Sequence, residues 1–443
     1  MKTKLIYAFL LVSFWSSVAC AQMINKAKLD SLFSLLAEKN KAMGSIALSK
    51  NGKILYSKAI GYSSITERDK TPATDKTKYR IGSISKMFTA TMIFELIEER
   101  KIKLTETLDT YFPDIPNANE ITISHLLNHR SGIHNFTDDE EYANYMTLPK
   151  TEDEMIAIIS KNKPDFEPNE KASYSNSNFV LLGYIIEKIT KKPYATNLSE
   201  RITSKIGLSD TYYGGKTNIT NIESYSYSYT NKWDLEPETD MSIPGGAGAI
   251  VSTPVDLTKF IEALFSLKLV SKESLSMMKT MKDNYGMGMF QMPFYTRKGF
   301  GHNGGIDGFG STVGYFPDDS IAIAYCTNGQ VYGMNDILIG VLSIYFNMEY
   351  TLPVFSSIQI KPEDLDIYIG TYSSPEIQIK IAITKSGSTL MAQASGQSAF
   401  PLEATAPGIF SFGRAGIVLE FNTADNEMTL KQGGGSFVFK KDN

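Results

Sequence analysis

Strand-forming segments flank a long helix-forming region in this sequence. Residues 44–64, GSIALSKNGKILYSKAIGYSS, alternate apolar and polar side chains around Asn51-Gly52, which predicts an antiparallel hairpin. Strand-like segments return only at 299–317 and 321–328. This order predicts one α/β (α+β) domain, in which distant segments complete a single antiparallel sheet and a helical subdomain is inserted between them.

The middle of the chain shows the apolar spacing of amphipathic and buried helices. Helices are predicted at 29–41, 87–99, 124–128, 152–160, 179–190, 255–267, 271–281 and 336–345. Residues 224–230, SYSYSYT, fit either an exposed strand or a loop. The cleft between sheet and helices is the natural place for a binding site.

The hydrophobic pattern of the sequence changes near residues 351–360. Short alternating segments then recur, separated by Gly, Ser, Asn and Asp, at 377–384, 417–421, 428–431 and 436–439. Short strands at close spacing predict a small antiparallel barrel or sandwich. We therefore expect one folded domain at 22–350 and a second, all-β domain at 356–443.

Residues 1–21 have the three-part pattern of a secretory signal peptide: two lysines, an apolar stretch at 5–15 and a small-residue end. The stretch is shorter than the about 20 residues that cross a membrane. Cleavage after Ala21 would release a periplasmic or extracellular protein. Cleavage before Cys20 would leave a lipidated, membrane-tethered cysteine, but Ser17 fits the bacterial lipoprotein pattern poorly.

The composition of the chain excludes some classes of binding partner and cofactor. The 443 residues are 42% hydrophobic and 21% charged, as in a foldable globular protein. A net charge of −4 provides no basic face for nucleic acid, so that partner is excluded. HExxH, paired Cys/His patterns and a P-loop are absent from the sequence, so we expect neither metal nor cofactor. Removal of Cys20 leaves Cys326 without a partner, and disulfides do not hold this fold.

Ser83 and Lys86 stand three residues apart in RIGSISKMFTA, residues 80–90. The preceding turn places Ser83 at or near a helix N-terminus and Lys86 on the same face, with Cβ atoms roughly 5 to 6 Å apart. The apolar segment that follows predicts burial, which lowers the pKa of a lysine toward the neutral amine that a general base requires. The same spacing at Ser160 and Ser276 fits a solvated helix face.

Tyr174-Ser-Asn176 comes from a polar loop just before a predicted buried helix. A tyrosine near a cationic lysine loses its proton more easily and can relay protons. The asparagine can hold both the lysine and a substrate amide. The alternative is a loop tyrosine beside a helix-capping residue.

His302-Asn303-Gly304-Gly305 lies on a predicted strand that is unusually rich in glycine. Each glycine weakens a strand, so close approach of another molecule's backbone is the physical reason to tolerate them. The strand edge could then donate an N–H group toward a reacting carbonyl oxygen. The alternative is a histidine in a glycine-rich turn.

In this order, the three motifs resemble those of the penicillin-recognising serine hydrolases, which include class C β-lactamases, D-alanyl-D-alanine carboxypeptidases, D-aminopeptidases and esterases. TISHLLNHRSGI at 122–133 and IPGGAGAIVSTPVDLTKF at 243–260 also resemble that family. The resemblance covers about residues 28–346 and implies a β-lactamase/transpeptidase-like fold. The last domain is similar to the lipocalin-like barrels appended to some of these enzymes.

The resemblance implies a role for each motif residue. Ser83 would attack a carbonyl group and form an acyl-enzyme, while Lys86 and Tyr174 would shuttle its proton. Asn176 would hold the lysine and the substrate. The backbone N–H groups of Ser83 and Gly305 would form the oxyanion hole.

The remaining motif residues, His302 and Gly304, would line the substrate site on the same strand. β-Lactamases usually carry lysine at the position of His302, where the cation helps hold the substrate carboxylate. A histidine is mostly neutral at pH 7, so carboxylate recognition should be weaker or more pH-dependent. This departure favours peptidase or esterase action over efficient β-lactamase action.

The sequence thus predicts an exported serine hydrolase acting on D-amino-acid peptides, such as peptidoglycan stem peptides, or on small esters and amides. A β-lactamase proper and a non-catalytic penicillin-binding sensor are the alternatives. The C-terminal domain would restrict the cleft, bind a partner or only stabilise the protein. The sequence leaves the oligomeric state open.

Overall fold

The computed structural model describes residues 24–442 except 231, 356, 357, 359, 398, 433 and 434. The predicted signal peptide and the alternative lipidation site at Cys20 lie outside the described residues. The domain boundaries at 22–350 and 356–443 stay predictions.

Early and late strands share one antiparallel sheet, in the spatial order Phe290–Phe294, Arg297–Ile306, Phe309–Phe316, Ile321–Gln330, Ala42–Lys50 and Lys53–Ile60. The strands before residue 350 are β1 (Ala42–Lys50), β2 (Lys53–Ile60), β3 (Tyr62–Ile65), β4 (Lys70–Pro72), β5 (Tyr79–Arg80), β6 (Tyr212–Tyr213), β7 (Tyr227–Tyr229), β8 (Trp233–Leu235), β9 (Ile250–Ser252), β10 (Phe290–Phe294), β11 (Arg297–Ile306), β12 (Phe309–Phe316) and β13 (Ile321–Gln330). Pairing of β1 with β13 confirms that distant segments complete the sheet.

The first hairpin forms where the sequence predicts it. Asn51 and Gly52 both adopt left-handed conformations, with φ of 53° and 77°. Such a pair matches the right-handed twist of the flanking strands, β1 and β2.

Helices cover both faces of the sheet. They are α1 (Lys26–Glu38), α2 (Ser85–Glu98), α3 (Ile123–Leu127), α4 (Tyr142–Tyr145), α5 (Glu152–Lys161), α6 (Asn176–Thr190), α7 (Tyr194–Leu198), α8 (Ser204–Ile206), α9 (Gly245–Gly248), α10 (Pro254–Phe265), α11 (Lys272–Lys279) and α12 (Met334–Tyr345). Helical turns lie at Gly82–Ile84, Leu108–Thr110, Phe136–Asp138, Ser199–Thr203, Ile219–Asn221, Pro362–Tyr368 and Gly413–Ala415. One core joins α2, α6 and α10 to the sheet, and α1 and α12 form a second core on its other face.

Helix α2 is the centre of the larger core. Its side chains are buried without interruption from Ser85 to Leu96, as expected for a helix with apolar residues on every side. Phe88 of this helix stacks on Phe260 of α10, with ring centroids 3.8 Å apart. The helix therefore offers a rigid base for the residues at its N-terminus.

The C-terminal strands close into a barrel, which decides between the two predicted β architectures. They are β14 (Gly370–Ser373), β15 (Lys380–Ser386), β16 (Thr389–Ala394), β17 (Phe400–Ala406), β18 (Ile409–Phe412), β19 (Ile417–Asn422), β20 (Glu427–Gln432) and β21 (Gly435–Lys441). Tyr372 of β14 pairs with Lys441 of β21 and closes the ring, which leaves no open sheet edge. Buried Phe410 and Phe439 contribute to its interior.

The barrel contacts the larger domain beside α12, on the face of the sheet opposite α2. The Lys41 ammonium lies 2.6 Å from the Glu403 carboxylate of β17. The carbonyl of Gly413 lies close to Gly333, the residue before α12. Among the described residues, no helix is long and apolar enough to cross a lipid bilayer.

We predict that Phe260→Ala will lower the free energy of unfolding by about 3 to 5 kcal/mol, because it leaves a cavity against Phe88. Urea denaturation would measure the change. The control is Leu148→Ala, whose side chain is 54% exposed and whose loss should change stability by less than about 0.5 kcal/mol. Equal losses in both variants would contradict this account of the core.

Candidate active site

Ser83 lies in the helical turn that leads directly into α2. Gly82 precedes it with φ of 49°, a left-handed conformation that favours glycine. Ser83 is partly exposed, whereas Ser85 and Lys86 are fully buried. The Ser83 hydroxyl can therefore meet a ligand while the lysine beneath it is shielded from water.

Three oxygen atoms surround the Lys86 amine. Its Nζ lies 2.9 Å from Ser83 Oγ, 2.8 Å from Asn176 Oδ1 and 2.9 Å from the carbonyl oxygen of Ala247. The structure thus brings together Ser83, Lys86 and Asn176 as the sequence predicts. Ala247 belongs to α9, within a stretch for which the sequence assigned no contact.

Burial lowers the pKa of Lys86 well below its usual value, and no carboxylate contributes to the shift. A neutral amine has two N–H donors and one lone pair. The carbonyl of Ala247 and the amide oxygen of Asn176 can only accept, so they take the two donors. The lone pair then remains for the Ser83 hydroxyl proton, which is the arrangement of a general base.

Asn176 is held in the orientation that this arrangement needs. Its Nδ2 donates to Thr137 Oγ1 at 3.0 Å, which leaves Oδ1 directed at Lys86. Its backbone N–H donates to Asn135 Oδ1 at 2.9 Å. Asn176 begins α6 and binds the lysine instead of capping the helix, so the capping alternative does not apply.

The ring of Tyr174 lies 4.9 Å from the Lys86 amine and makes a hydrogen bond to Ser83 through its hydroxyl. Burial raises the pKa of Tyr174 above its usual range, although the bond to Ser83 opposes the shift. The prediction that Tyr174 loses its proton more easily is therefore wrong. Its premise was a cationic lysine, whereas burial lowers the pKa of Lys86 and raises the pKa of the phenol, and both shifts favour the uncharged form.

His129 supports Tyr174 and was not predicted as a site residue. Its Nδ1 accepts from the Ser175 N–H at 3.2 Å, and its carbonyl accepts from the Ser173 N–H at 2.9 Å. The two rings lie 4.5 Å apart. His129 thus holds the backbone on both sides of Tyr174. Its only sequence signal is its place in TISHLLNHRSGI.

His302 lies on β11, as predicted, and faces the rings of Tyr174 and Phe290. Its Nδ1 lies 2.5 Å from the carbonyl of Asn303, and its Nε2 has no hydrogen-bond partner among the described residues. Burial lowers the pKa of His302 to about 3. The residue is neutral at pH 7 and supplies no cation.

The glycines of β11 allow two backbones of this chain to touch. A Cβ on Gly304 would lie 2.0 Å from the Ile81 carbonyl oxygen, and a Cβ on Gly82 would lie 2.9 Å from the Gly305 nitrogen. At Gly304 the close approach is made by the chain's own nucleophile segment; the approach of another molecule's backbone to this strand stays a prediction. The contact within the chain places Gly305 against Gly82, the residue before Ser83, as the predicted oxyanion hole requires.

Fold and site together define a serine hydrolase in which a buried lysine lies beside the serine. The chain belongs to the Beta-lactamase family, which it matches over residues 30–339. It is 28% identical over 304 residues to teichoic acid D-alanine hydrolase of Staphylococcus aureus (strain MRSA252), covering 67% of this chain and 72% of that protein.

Solved structures show the same likeness. D-amino acid amidase from Ochrobactrum anthropi SV3, complexed with D-phenylalanine, is similar with a TM-score of 0.63 and 27% identity, covering 73% of this chain and 99% of the amidase. The octameric penicillin-binding protein homologue from Pyrococcus abyssi has a TM-score of 0.65 and 26% identity, covering 94% of this chain and 100% of that one.

We predict that Lys86 makes stability rise with pH. The unfolded chain holds a proton on this lysine up to about its ordinary pKa of 10.5, whereas the folded chain has lost it at much lower pH. The unfolded state therefore binds more protons between the two values, and the free energy of unfolding increases by up to about 1.4 kcal/mol per pH unit.

Urea denaturation at pH 7, 8 and 9 would compare the protein with Lys86→Met, in which this increase should be absent. Lys272→Met, at an exposed position, controls for the loss of a surface lysine. An identical pH slope in the protein and in Lys86→Met would show that the buried amine is not neutral.

Proposed function

We propose that this protein hydrolyses esters or amides of D-amino acids through an acyl-enzyme on Ser83. The observation that carries the proposal is the set of contacts around Lys86, which leaves one lone pair for the Ser83 proton. The names of the relatives support the substrate class, because they include a D-alanine hydrolase and a D-amino acid amidase.

The reaction begins as Lys86 takes the proton of Ser83 and the serine oxygen attacks the substrate carbonyl. The N–H groups of Ser83 and Gly305 stabilise the negative oxygen that forms, a contribution worth roughly 100- to 1,000-fold in rate for one donor. Tyr174 still carries its proton and passes it to the leaving alcohol or amine, while Lys86 replenishes it. Water, deprotonated by the same amine, then releases the amino acid.

The neutral state of His302 supports a choice among substrates. A carboxylate-terminated peptide or a penicillin needs a cation near this strand, and His302 with a pKa of about 3 provides none. Burial also lowers the pKa of its neighbour Lys86, which disfavours a cation there. Esters and amides whose leaving group lacks that carboxylate avoid the penalty of leaving a charge unpaired. This is why we place β-lactamase action and stem-peptide cleavage second.

A sensor without turnover has less support. Such a module needs a cleft but no proton acceptor aligned with the serine, whereas here Asn135 and Thr137 hold Asn176 and Asn176 holds Lys86. That chain of contacts leads to the amine beside Ser83. We also propose that the protein is exported, on the signal-like pattern of residues 1–21; the N-terminal sequence of the mature protein from its native cells would test this.

We predict that an activated D-alanyl ester will leave an acyl adduct on Ser83, visible by intact-mass spectrometry after rapid quenching. Ser83→Ala should show no adduct, since Ser83 Oγ is the only hydroxyl among the three oxygens that contact the buried amine in the described part of the chain. The matched control is Ser276→Ala, which removes the serine of a second Ser-x-x-Lys pair on exposed helix α11 and should react normally.

Turnover of a D-alanyl ester, D-phenylalanine amide, a D-Ala-D-Ala peptide and a chromogenic cephalosporin would then rank the substrate classes. The proposal fails if the intact protein forms no adduct, or if the adduct persists in Ser83→Ala.

A second substitution tests the role of His302. We predict that His302→Lys will raise kcat/KM on the D-Ala-D-Ala peptide relative to D-phenylalanine amide by about ten- to a hundredfold, because a hydrogen bond to a charged group contributes about 1.5 to 3 kcal/mol. His302→Gln changes the side chain without adding charge and is the control. A similar shift in both variants would rule out the missing cation as the cause.

A further inference from the structure

A buried ion pair joins the two backbone segments that meet at the candidate oxyanion hole. The Arg80 Nη1 lies 3.0 Å from the Asp307 Oδ2, and the two side chains are 4% and 0% exposed. Neither residue belongs to the three motifs. Burying two charges is costly unless the geometry is good and every remaining polar atom is bonded, so such a pair needs a reason.

The positions of the two residues supply one. Arg80 ends β5, three residues before Ser83. Asp307 follows β11, two residues after Gly305, and adopts a left-handed conformation with φ of 52° in the turn to β12. The ion pair therefore spans the gap between the segment that carries the nucleophile and the segment that carries the second N–H donor.

Further hydrogen bonds fix the orientation of the Arg80 guanidinium. Its Nη1 also donates to the carbonyl of Thr239 at 2.8 Å, and its Nη2 donates to the carbonyl of Gly215 at 3.0 Å and to Glu238 Oε2 at 2.7 Å. Four acceptors in fixed positions leave the guanidinium one orientation. Only Asp307 among them directly follows β11, the strand that carries Gly305 and is here called the oxyanion strand.

Asp307 is equally constrained. Its Oδ1 accepts from the backbone N–H of Thr239 at 3.0 Å and from the hydroxyl of Thr239 at 2.6 Å. A second contact joins the same two regions: Ser311 Oγ of β12 donates to the Ile81 carbonyl at 2.8 Å. Both contacts are made by the two residues directly before Gly82 and hold them against the strands beside Gly305.

We propose that Arg80 and Asp307 are positioning residues that set the spacing between the Ser83 and Gly305 N–H groups and thereby the stabilisation of the oxyanion. This inference rests on the proposed function. A misplacement of about 1 Å at a reacting centre can cost about a hundredfold in rate. The two contacts should affect the transition state more than substrate binding. The reason is that negative charge develops on the carbonyl oxygen only as the serine attacks it.

The test compares Asp307→Asn with Glu238→Gln. The asparagine keeps the shape and an acceptor for Thr239 but removes the charge that holds Arg80 to the oxyanion strand. The glutamine removes the other carboxylate on the same guanidinium, at a similar distance and away from that strand. On the D-alanyl ester, we expect kcat to fall about ten- to a hundredfold in Asp307→Asn with KM changed less than about twofold, and Glu238→Gln to stay within about twofold.

An aryl boronic acid provides a readout that loss of folding alone would not move. Its tetrahedral adduct places an oxygen in the oxyanion hole, so its affinity should fall in parallel with kcat in Asp307→Asn. All rates are normalised to the sites titrated by the acylating ester, which removes unfolded protein from the comparison. Arg80→Lys keeps the positive charge but loses the two-pronged guanidinium, and its kcat should lie between those of the two variants.

Two results would overturn the inference. One is a normal kcat per titrated site in Asp307→Asn, even if its thermal midpoint falls. The other is an equal loss in Glu238→Gln. Failure of the proposed function looks different, because then the unmodified protein would not be acylated at all.

Discussion

The chemistry of this protein depends on the burial of one amine. Lys86 is fully buried in α2 and is offered carbonyl and amide oxygens instead of a carboxylate. A carboxylate partner would hold the proton on the lysine and remove the base. Burying this lysine in the largest core costs stability, because the amine loses its contact with water and its proton. The same burial gives the serine a proton acceptor. This is an exchange of stability for function at a single position.

The groups around that amine are uncharged as well. Burial lowers the pKa of His129 and of His302 and raises the pKa of Tyr174, so none of them carries charge at pH 7. Charge therefore appears in the site only during the reaction, on the substrate oxygen and the lysine. The N–H and carbonyl dipoles of the site are already in place and stabilise this charge without rearranging. Dipoles stabilise a transition state most when they are held in this way before the reaction.

The sequence predicted what side-chain type and periodicity reveal, and missed what backbone atoms do. The helices at α2, α6 and α10 follow from apolar patterns, and Ser83, Lys86, Asn176 and His302 carry recognisable groups. The carbonyl of Ala247 has no signal of its own, because every residue has one. Arg80 and Asp307 meet only through tertiary contact. The strands β14, β16, β17 and β18 escaped prediction because β14 and β18 have only four residues each, while β16 and β17 each carry two alanines, a residue that is depleted in strands.

The order of the motifs in the chain does not bring them together; the register of the sheet does. Successive residues of β11 point to opposite faces, so a slip of one residue would turn His302 toward α12 and Asn303 toward the serine. Asn303 is instead bound by Thr312 Oγ1 at 2.9 Å on the far face. The Gly304 contact with Ile81 admits no side chain, so it tolerates no other residue in that register. The glycines that weaken the strand are thus what specifies its alignment with the nucleophile.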